Sequence, residues 1–209
     1  MNNDANRTLI LFDIDGTMVD MKNAGRRSFI RALKRVFGID DDISYISFAG
    51  ATDLDVFRRI AERLDLAPTE KQTRAFFDAL PEELDRTVRE ETPVCFPGVK
   101  ILLETLTAME DRALLGIVTG NIEPCARIKL RHFDLHHHFV LGAFGCEHAD
   151  RNELARMAFA RAQEREPGIA FDPVSLIGDT PSDVEAARVL GATAIAVATG
   201  RCAREELDR

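Results

Sequence analysis

The residues able to do chemistry collect in three short stretches. Asp13 and Asp15 are carboxylates one residue apart, placed after the apolar run Leu9-Ile10-Leu11-Phe12 and just ahead of Gly16-Thr17. Thr119-Gly120-Asn121 follows another apolar run, and Gly178-Asp179-Thr180-Pro181-Ser182-Asp183 follows a third. Grouped carboxylates suit a hard divalent cation or the exchange of a proton, and glycine turns let backbone amides approach a phosphate. Two like charges at the end of an apolar run are otherwise unfavourable. Each stretch begins where an apolar run stops, so strand ends must bring the three together.

The elements that position them follow from the hydrophobic pattern. A short apolar run bounded by glycine, without a 3.6-residue period, predicts a buried parallel strand over 9–12. Similar strands are predicted over 114–118, 139–141, 174–177 and 194–197, with helices over 99–109, from near Pro124, over 151–165 and over 181–190. This alternation implies right-handed crossovers and an α/β fold with a Rossmann-like, doubly wound parallel sheet of five strands. Ligands bind such sheets beyond the C-terminal strand ends, where all three polar stretches lie.

Residues 18–92 have a different character. Phe29, Ile30, Leu33, Val36 and Phe37 make a helical stripe ended by Gly38, and Val56, Phe57, Ile60 and Leu64 make a second that starts at Thr52 or Asp53. Phe76, Leu80, Leu84 and Val88 make a third, in which Pro81 predicts a break or kink. The stretch from Pro93 to Gly98 reads as a return linker. The expected organisation is a core of residues 1–17 and 93–209 with an all-helical insert over 18–92.

Composition narrows the class of partner. The 209 residues are 45% hydrophobic and 30% charged, as expected of a soluble globular protein. A net charge of −8 argues against nucleic acid or an anionic membrane as partner, but not against a small phosphorylated metabolite held by a metal ion and a few cations. Cys95, Cys125, Cys146 and Cys202 form no Cys-x-x-Cys pair and read as free thiols of a reducing compartment. The polar start Met1–Arg7 and the early interruption by Asp13 predict neither a signal peptide nor a membrane span. A cytoplasmic monomer or homodimer is expected.

Together, Asp13-x-Asp15-Gly16-Thr17, the Thr119 turn and the acidic Asp179–Asp183 turn resemble the haloacid dehalogenase superfamily of phosphohydrolases, in the branch with a helical cap after the first strand (phosphoglycolate-phosphatase-like or β-phosphoglucomutase-like). The resemblance covers nearly the whole chain. It implies that Asp13 is a nucleophile and that Asp15 protonates the leaving group and later activates water. Attack of a carboxylate on a phosphate needs a cation between them, and Mg²⁺ takes few carboxylates. Asp13, the backbone carbonyl of Asp15 and Asp179 form the expected ligand set, with Asp183 as ligand or neighbouring acceptor. The Asp15 side chain should stay off the metal, because it must exchange a proton. Thr119, with Gly16, Gly120 and Asn121, is the expected phosphate-binding group.

The chain departs from the family in its phosphate-holding cation. Most relatives carry a Lys after the third strand, and this chain has no Lys beyond Lys129. Arg151 is the best candidate, since a guanidinium binds phosphate oxygens bidentately. A helix-start Arg paired with Asp150 or Glu153 is the structural alternative, and Lys129 is the second choice for the role. The run His136-His137-His138 reads as a solvated loop, because adjacent histidines in an extended segment point to opposite faces. In the insert, Lys22, Arg26 and the loop Gly50-Ala51-Thr52-Asp53 are the expected inward positions. Ala51, where many phosphoglycolate-phosphatase-like relatives have a larger or charged residue, argues against phosphoglycolate in particular.

The favoured function is therefore a Mg²⁺-dependent phosphatase for a small phosphate monoester, acting through an aspartyl-phosphate. The acid at Asp15 favours phosphoryl transfer over dehalogenation. A phosphomutase is the alternative, although Thr17 leans toward hydrolysis by family resemblance. A phosphonate hydrolase would need a Schiff-base lysine, and nothing singles out Lys22, Lys34 or Lys71. A catalytically silent phospholigand-binding relative would have lost one acid, yet Asp13, Asp15 and Asp179 are all present.

Overall fold

The computed structural model describes residues 6–208; residues 1–5, part of the polar start, and Arg209 lie outside them. In chain order the elements are β1 (Arg7–Phe12), β2 (Val19–Asp20), α1 (Ala24–Phe37), α2 (Asp53–Arg63), α3 (Glu70–Glu90), β3 (Val94–Cys95), α4 (Val99–Thr107), β4 (Ala113–Thr119) and α5 (Glu123–His132). A short 3₁₀ turn (His136–His138) leads into β5 (Leu141–Phe144), α6 (Arg151–Arg165), β6 (Phe171–Gly178), α7 (Pro181–Val189), β7 (Thr193–Ala196) and α8 (Arg204–Leu207). The main sheet is the expected parallel one, with five strands in the order β5-β4-β1-β6-β7. Its central strand is β1.

Burial on both faces explains the unbroken apolar run of β1. Leu9 and Leu11 join Leu154, Ala158, Ala186 and Ala187 of α6 and α7, whereas Ile10 and Phe12 pack on the opposite face with Leu103, Leu130 and Leu135. That second cluster continues into α1, α2 and α3, so the helices between β2 and β3 share one core with the sheet. Within it Phe76 touches Phe29, Phe37, Phe57 and Phe77, with ring centroids 4.5 Å apart for the pair with Phe57. Among the described residues no helix is long and apolar enough to cross a membrane.

Helix ends follow the local signals. Gly38 takes the left-handed conformation (φ 70°) and returns its N–H to the Lys34 carbonyl, and the Thr52 hydroxyl caps α2 by accepting from the Asp55 amide at 3.2 Å.

Four expectations change. α3 runs without a break through Pro81: a Thr69–Gln72 capping box fixes its start, and Phe76, Leu80, Leu84 and Val88 are buried along its length. Packing outweighs the one hydrogen bond that proline removes. The third strand lies at Leu141–Phe144 instead of 139–141; Phe139 packs edge-on against Phe12, while the small Gly142 and Ala143 hide the strand from an apolar count. The three histidines form a 3₁₀ turn and not an extended loop, with His138 buried and its Nδ1 2.8 Å from the Thr107 hydroxyl. His136 and His137 stay exposed, each with Nδ1 within 3.8 Å of Asp134. Finally, β2 and β3 pair antiparallel on either side of the three-helix segment, two-residue strands too short to show a period.

Phe76→Ala should cost about 3–5 kcal/mol. Chemical denaturation would show this as a lower midpoint; an unchanged midpoint would mean that the three helices do not share the sheet's core.

Candidate active site

The C-terminal ends of β1, β4 and β6 bring the three polar stretches together. Asp13 continues β1 by one hydrogen bond, from its amide to the Ile177 carbonyl at 2.9 Å, and its side chain is buried. Ile14 turns into the core, so Asp13 and Asp15 flank a buried residue and both line one cavity. Gly16 then takes φ +84°, and a Cβ there would lie 2.3 Å from the Asp179 Oδ2. A Cβ on Gly200, after β7, would lie 1.7 Å from the same oxygen. Asp179 thus sits between two backbone segments that only glycine allows this close. The Thr17 hydroxyl donates to Asp179 Oδ1 at 3.3 Å, and the Thr199 hydroxyl donates to the Gly16 carbonyl at 2.6 Å.

Asp13, Asp179 and Asp183 each offer a carboxylate oxygen within 4.8 Å of the others, and all three are buried. Asp183 uses Oδ2 to accept from the Thr180 amide (3.0 Å) and hydroxyl (2.6 Å). Its Oδ1 is buried without a hydrogen-bond partner among the described residues. Burial, followed by repulsion from Asp183, Asp179 and Asp15 against the opposing pull of Arg151, pushes the Asp13 carboxyl up to about 8. Burial and Asp183 push Asp179 to about 6. With all three carboxyls ionised, the one guanidinium leaves two negative charges uncompensated, which is the repulsion that adds to burial in raising these pKa values. An all-oxygen donor set, a buried carboxylate oxygen that accepts no hydrogen bond and that charge deficit fit a hard divalent cation.

Arg151 opens α6, and its side chain is buried. Its Nη2 donates to Asp13 Oδ1 and, at 3.4 Å, to the Val118 carbonyl; its Nε lies 3.2 Å from Asp183 Oδ1. The alternative pairing is absent: Asp150 caps α6 by accepting from the Asn152 amide, and Glu153 pairs with Arg156. Burial opposes the Arg151 charge, but Asp183 and Asp13 outweigh it, so its pKa is raised.

Lys129 does not join this cluster. Its buried ammonium lies 2.6 Å from Asp15 Oδ2 and 2.6 Å from Asn121 Oδ1. Burial disfavours this charge, but Asp15 and Asp53 more than offset it and raise its pKa. Asn121, whose backbone amide is expected beside the phosphate, turns its side-chain amide to Asp15 Oδ2 (2.7 Å) and Thr119 Oγ1 (2.8 Å). The Thr119 oxygen therefore accepts and keeps its own proton for another acceptor. Gly120 packs so closely under the α2 loop that a Cβ would lie 2.1 Å from the Ala51 carbonyl.

That loop bonds to the sheet side of the cavity. The Asp53 amide donates to the Gly120 carbonyl (2.7 Å), Asp53 Oδ2 accepts from the Ile122 amide (2.8 Å), and the Thr52 hydroxyl donates to the Ala149 carbonyl (3.1 Å). Burial, against the pull of Lys129, pushes Asp53 to about 6. Lys22 and Arg26 also line the cavity of about 460 Å³, but each already has protein partners. Lys22 pairs with Asp20 at 2.7 Å, and Arg26 donates to the Ile43 and Ile46 carbonyls with its guanidinium 4.8 Å from the Phe48 ring centroid. The sequence reading missed Thr199, Gly200 and Arg201, which line the same cavity. The signal was present, since Thr199-Gly200 repeats the Thr-Gly turn of β4 just beyond β7.

The model of the haloacid dehalogenase-like hydrolase family matches residues 10–197. The chain belongs to this family. A 5'-nucleotidase from Pseudomonas aeruginosa is 30% identical over 207 residues, covering 95% of this chain and 86% of the relative. Among solved structures, CbbY from Rhodobacter sphaeroides in complex with phosphate has a TM-score of 0.72 at 20% identity, covering 95% of this chain and 90% of the other. A hydrolase from Pseudomonas syringae has a TM-score of 0.71 at 22% identity, covering 97% and 90%. These two likenesses concern the fold. The chain is thus a hydrolase whose family generally uses a divalent metal, with an aspartate cluster suited to one.

The charge deficit has a measurable sign. A carboxyl with a folded pKa above its unfolded value destabilises the fold once ionised, so Asp13 and Asp179 should erode stability as pH rises from about 4 toward 8. In chelator at pH 8, Asp179→Asn should raise the melting temperature by about 2–4 °C, on the order of 1 kcal/mol. Mg²⁺ should raise the wild-type midpoint more at pH 8 than at pH 5, and the variant's far less. Equal Mg²⁺ shifts in both proteins would place the cation elsewhere.

Proposed function

We propose that this hydrolase is a Mg²⁺-dependent phosphatase that cleaves a small phosphate monoester through an aspartyl-phosphate on Asp13. The observation that carries this reading is the convergence of the buried Asp13, Asp179 and Asp183 carboxylates, with Asp15 held apart by other partners. Asp13, the Asp15 carbonyl and Asp179 would hold the metal, with Asp183 beside them. When bound, Mg²⁺ supplies the charge neutralisation that lets a carboxylate approach a phosphate.

An Asp13 oxygen attacks phosphorus as the ester P–O bond breaks, and protonated Asp15 passes its proton to the leaving alcohol oxygen. Asp15, now a carboxylate, takes a proton from water, whose oxygen attacks phosphorus and breaks the bond to Asp13. Inorganic phosphate leaves and Asp15 is again protonated. Arg151 holds Asp13 in line and offers its remaining donors to the phosphate oxygens, a role the family more often gives to lysine. The Thr119 hydroxyl and the amides around Gly16, Gly120 and Asn121 complete the phosphate cradle.

We further propose that residues 18–92 form a cap over the core of residues 1–17 and 93–209. The β2–β3 ribbon stands at its base, and the bonds from Thr52 and Asp53 to the β4 and α6 loops support a closed arrangement. Lys22 and Arg26 then face the leaving group from the cap. The 5'-nucleotidase relative puts nucleoside 5'-monophosphates among the esters to be tested.

The test is a panel of nucleoside, sugar and carboxylic-acid phosphates with and without Mg²⁺. Phosphate release should require the metal, vanish in Asp13→Asn and fall about 10²–10⁴-fold in Asp15→Asn. Metal-independent turnover, or wild-type rates in Asp13→Asn, would overturn the mechanism. A rearranged sugar phosphate without free phosphate would make the protein a mutase.

A further inference from the structure

We infer that Lys129 is a positioning residue for Asp15: it fixes one carboxylate oxygen so that the other exchanges the proton with the leaving group. The inference rests on the phosphatase reading above and goes beyond it.

The location of this ammonium is costly in two respects. Lys129 belongs to the second half of α5, yet its terminal nitrogen reaches back to Asn121, just ahead of the helix's first turn. Helix side chains lean toward the N-terminus, and a lysine stem spans more than one turn. A cation at that end opposes the helix dipole. The side chain is only 5% exposed, so water does not compensate the charge. Such a placement requires anionic partners, and Asp15 is the one in contact, at 2.6 Å.

The geometry then separates the two Asp15 oxygens. Lys129 Nζ and Asn121 Nδ2 both donate to Oδ2, at 2.6 and 2.7 Å, while Oδ1 carries no hydrogen bond among the described residues. Asp15 keeps 39% of its side chain exposed and lines the cavity. Asn121 is itself held, because its Oδ1 accepts from Lys129 and its Nδ2 also reaches Thr119 Oγ1. Ammonium, amide and carboxylate form a closed triangle that sets the Asp15 rotamer and leaves Oδ1 as the proton-carrying atom. Arg151, on Asp13 and near Asp183, serves the other end of the reaction.

A positioning role for the general acid has a signature that phosphate binding lacks. Protonation matters most when the leaving oxygen is a poor leaving group, so loss of Lys129 should depend on the ester. In Lys129→Met, kcat for the best alkyl phosphate of the panel should fall about 10–100-fold at nearly constant KM, while p-nitrophenyl phosphate loses less than about threefold. In an Asp15→Asn background the same substitution should have no further effect. Equal losses on both esters, a raised KM with unchanged kcat, or full additivity with Asp15→Asn would overturn the inference. Because Lys129 also faces the buried Asp53, the Asp53→Asn/Lys129→Met pair is measured beside the single variant. If neither folds by circular dichroism, Lys129 is a structural residue and the inference fails. Wild type inactive on both esters would overturn the phosphatase reading itself, an outcome distinct from an active enzyme indifferent to Lys129.

Discussion

Three carboxylates buried around one guanidinium set the terms for the rest of this molecule. Asp13, Asp179 and Asp183 lie too close to be comfortable as anions, and Arg151 offsets only part of their charge. A fold keeps such an arrangement only if surrounding contacts enforce it. Here the enforcement is backbone: Gly16 and Gly200 press against Asp179 so closely that any side chain would collide.

The parallel sheet makes this possible because it delivers several chain segments to one rim. β1 is central and covered on both faces, so the residue after its end emerges between β4 and β6 and cannot be placed elsewhere without breaking their register. Leu9, Ile10, Leu11 and Phe12 contribute most of their energy by burial on two sides. Their cost is a single permitted alignment, which aims Asp13 at Asp179 and Asp183.

Two cations divide the two halves of the chemistry. Arg151 sits on the carboxylate proposed to attack, and Lys129 on the one proposed to move protons. A rigid fork suits the first, where a phosphate must also be held; a point charge on a long stem suits the second. Asp53, at the start of α2, bonds to the Ile122 amide beside Asn121, so the loop between α1 and α2 ends within the same polar network. The helical segment and the Asp15–Lys129 pair are therefore physically adjacent.

Much of this was legible from the chain alone. The alternation of apolar runs and helical stripes specified a parallel α/β sheet, because side-chain period and two-sided burial are local consequences of backbone geometry. Asp13, Asp179 and Asp183 could be singled out because each follows the end of an apolar strand, and Arg151 because it occupies the place where the resembling family carries a lysine. Pro81 misled, since its cost is local while the packing of Phe76, Leu80 and Leu84 that overrides it is not. The two-residue strands β2 and β3 carried no pattern to read.

What only the tertiary structure decided is which charge faces which. Arg151 and Lys129 are both cations near acidic residues, and nothing in their spacing assigns one to Asp13 and the other to Asp15. That assignment depends on distances between segments more than a hundred residues apart, set by sheet register and by how far a buried stem can reach back along α5. Sequence determines the residue types and the strand ends that carry them. Partner choice among those residues is a property of the packed core, because only there does the low dielectric make each unpaired charge costly enough to select one arrangement.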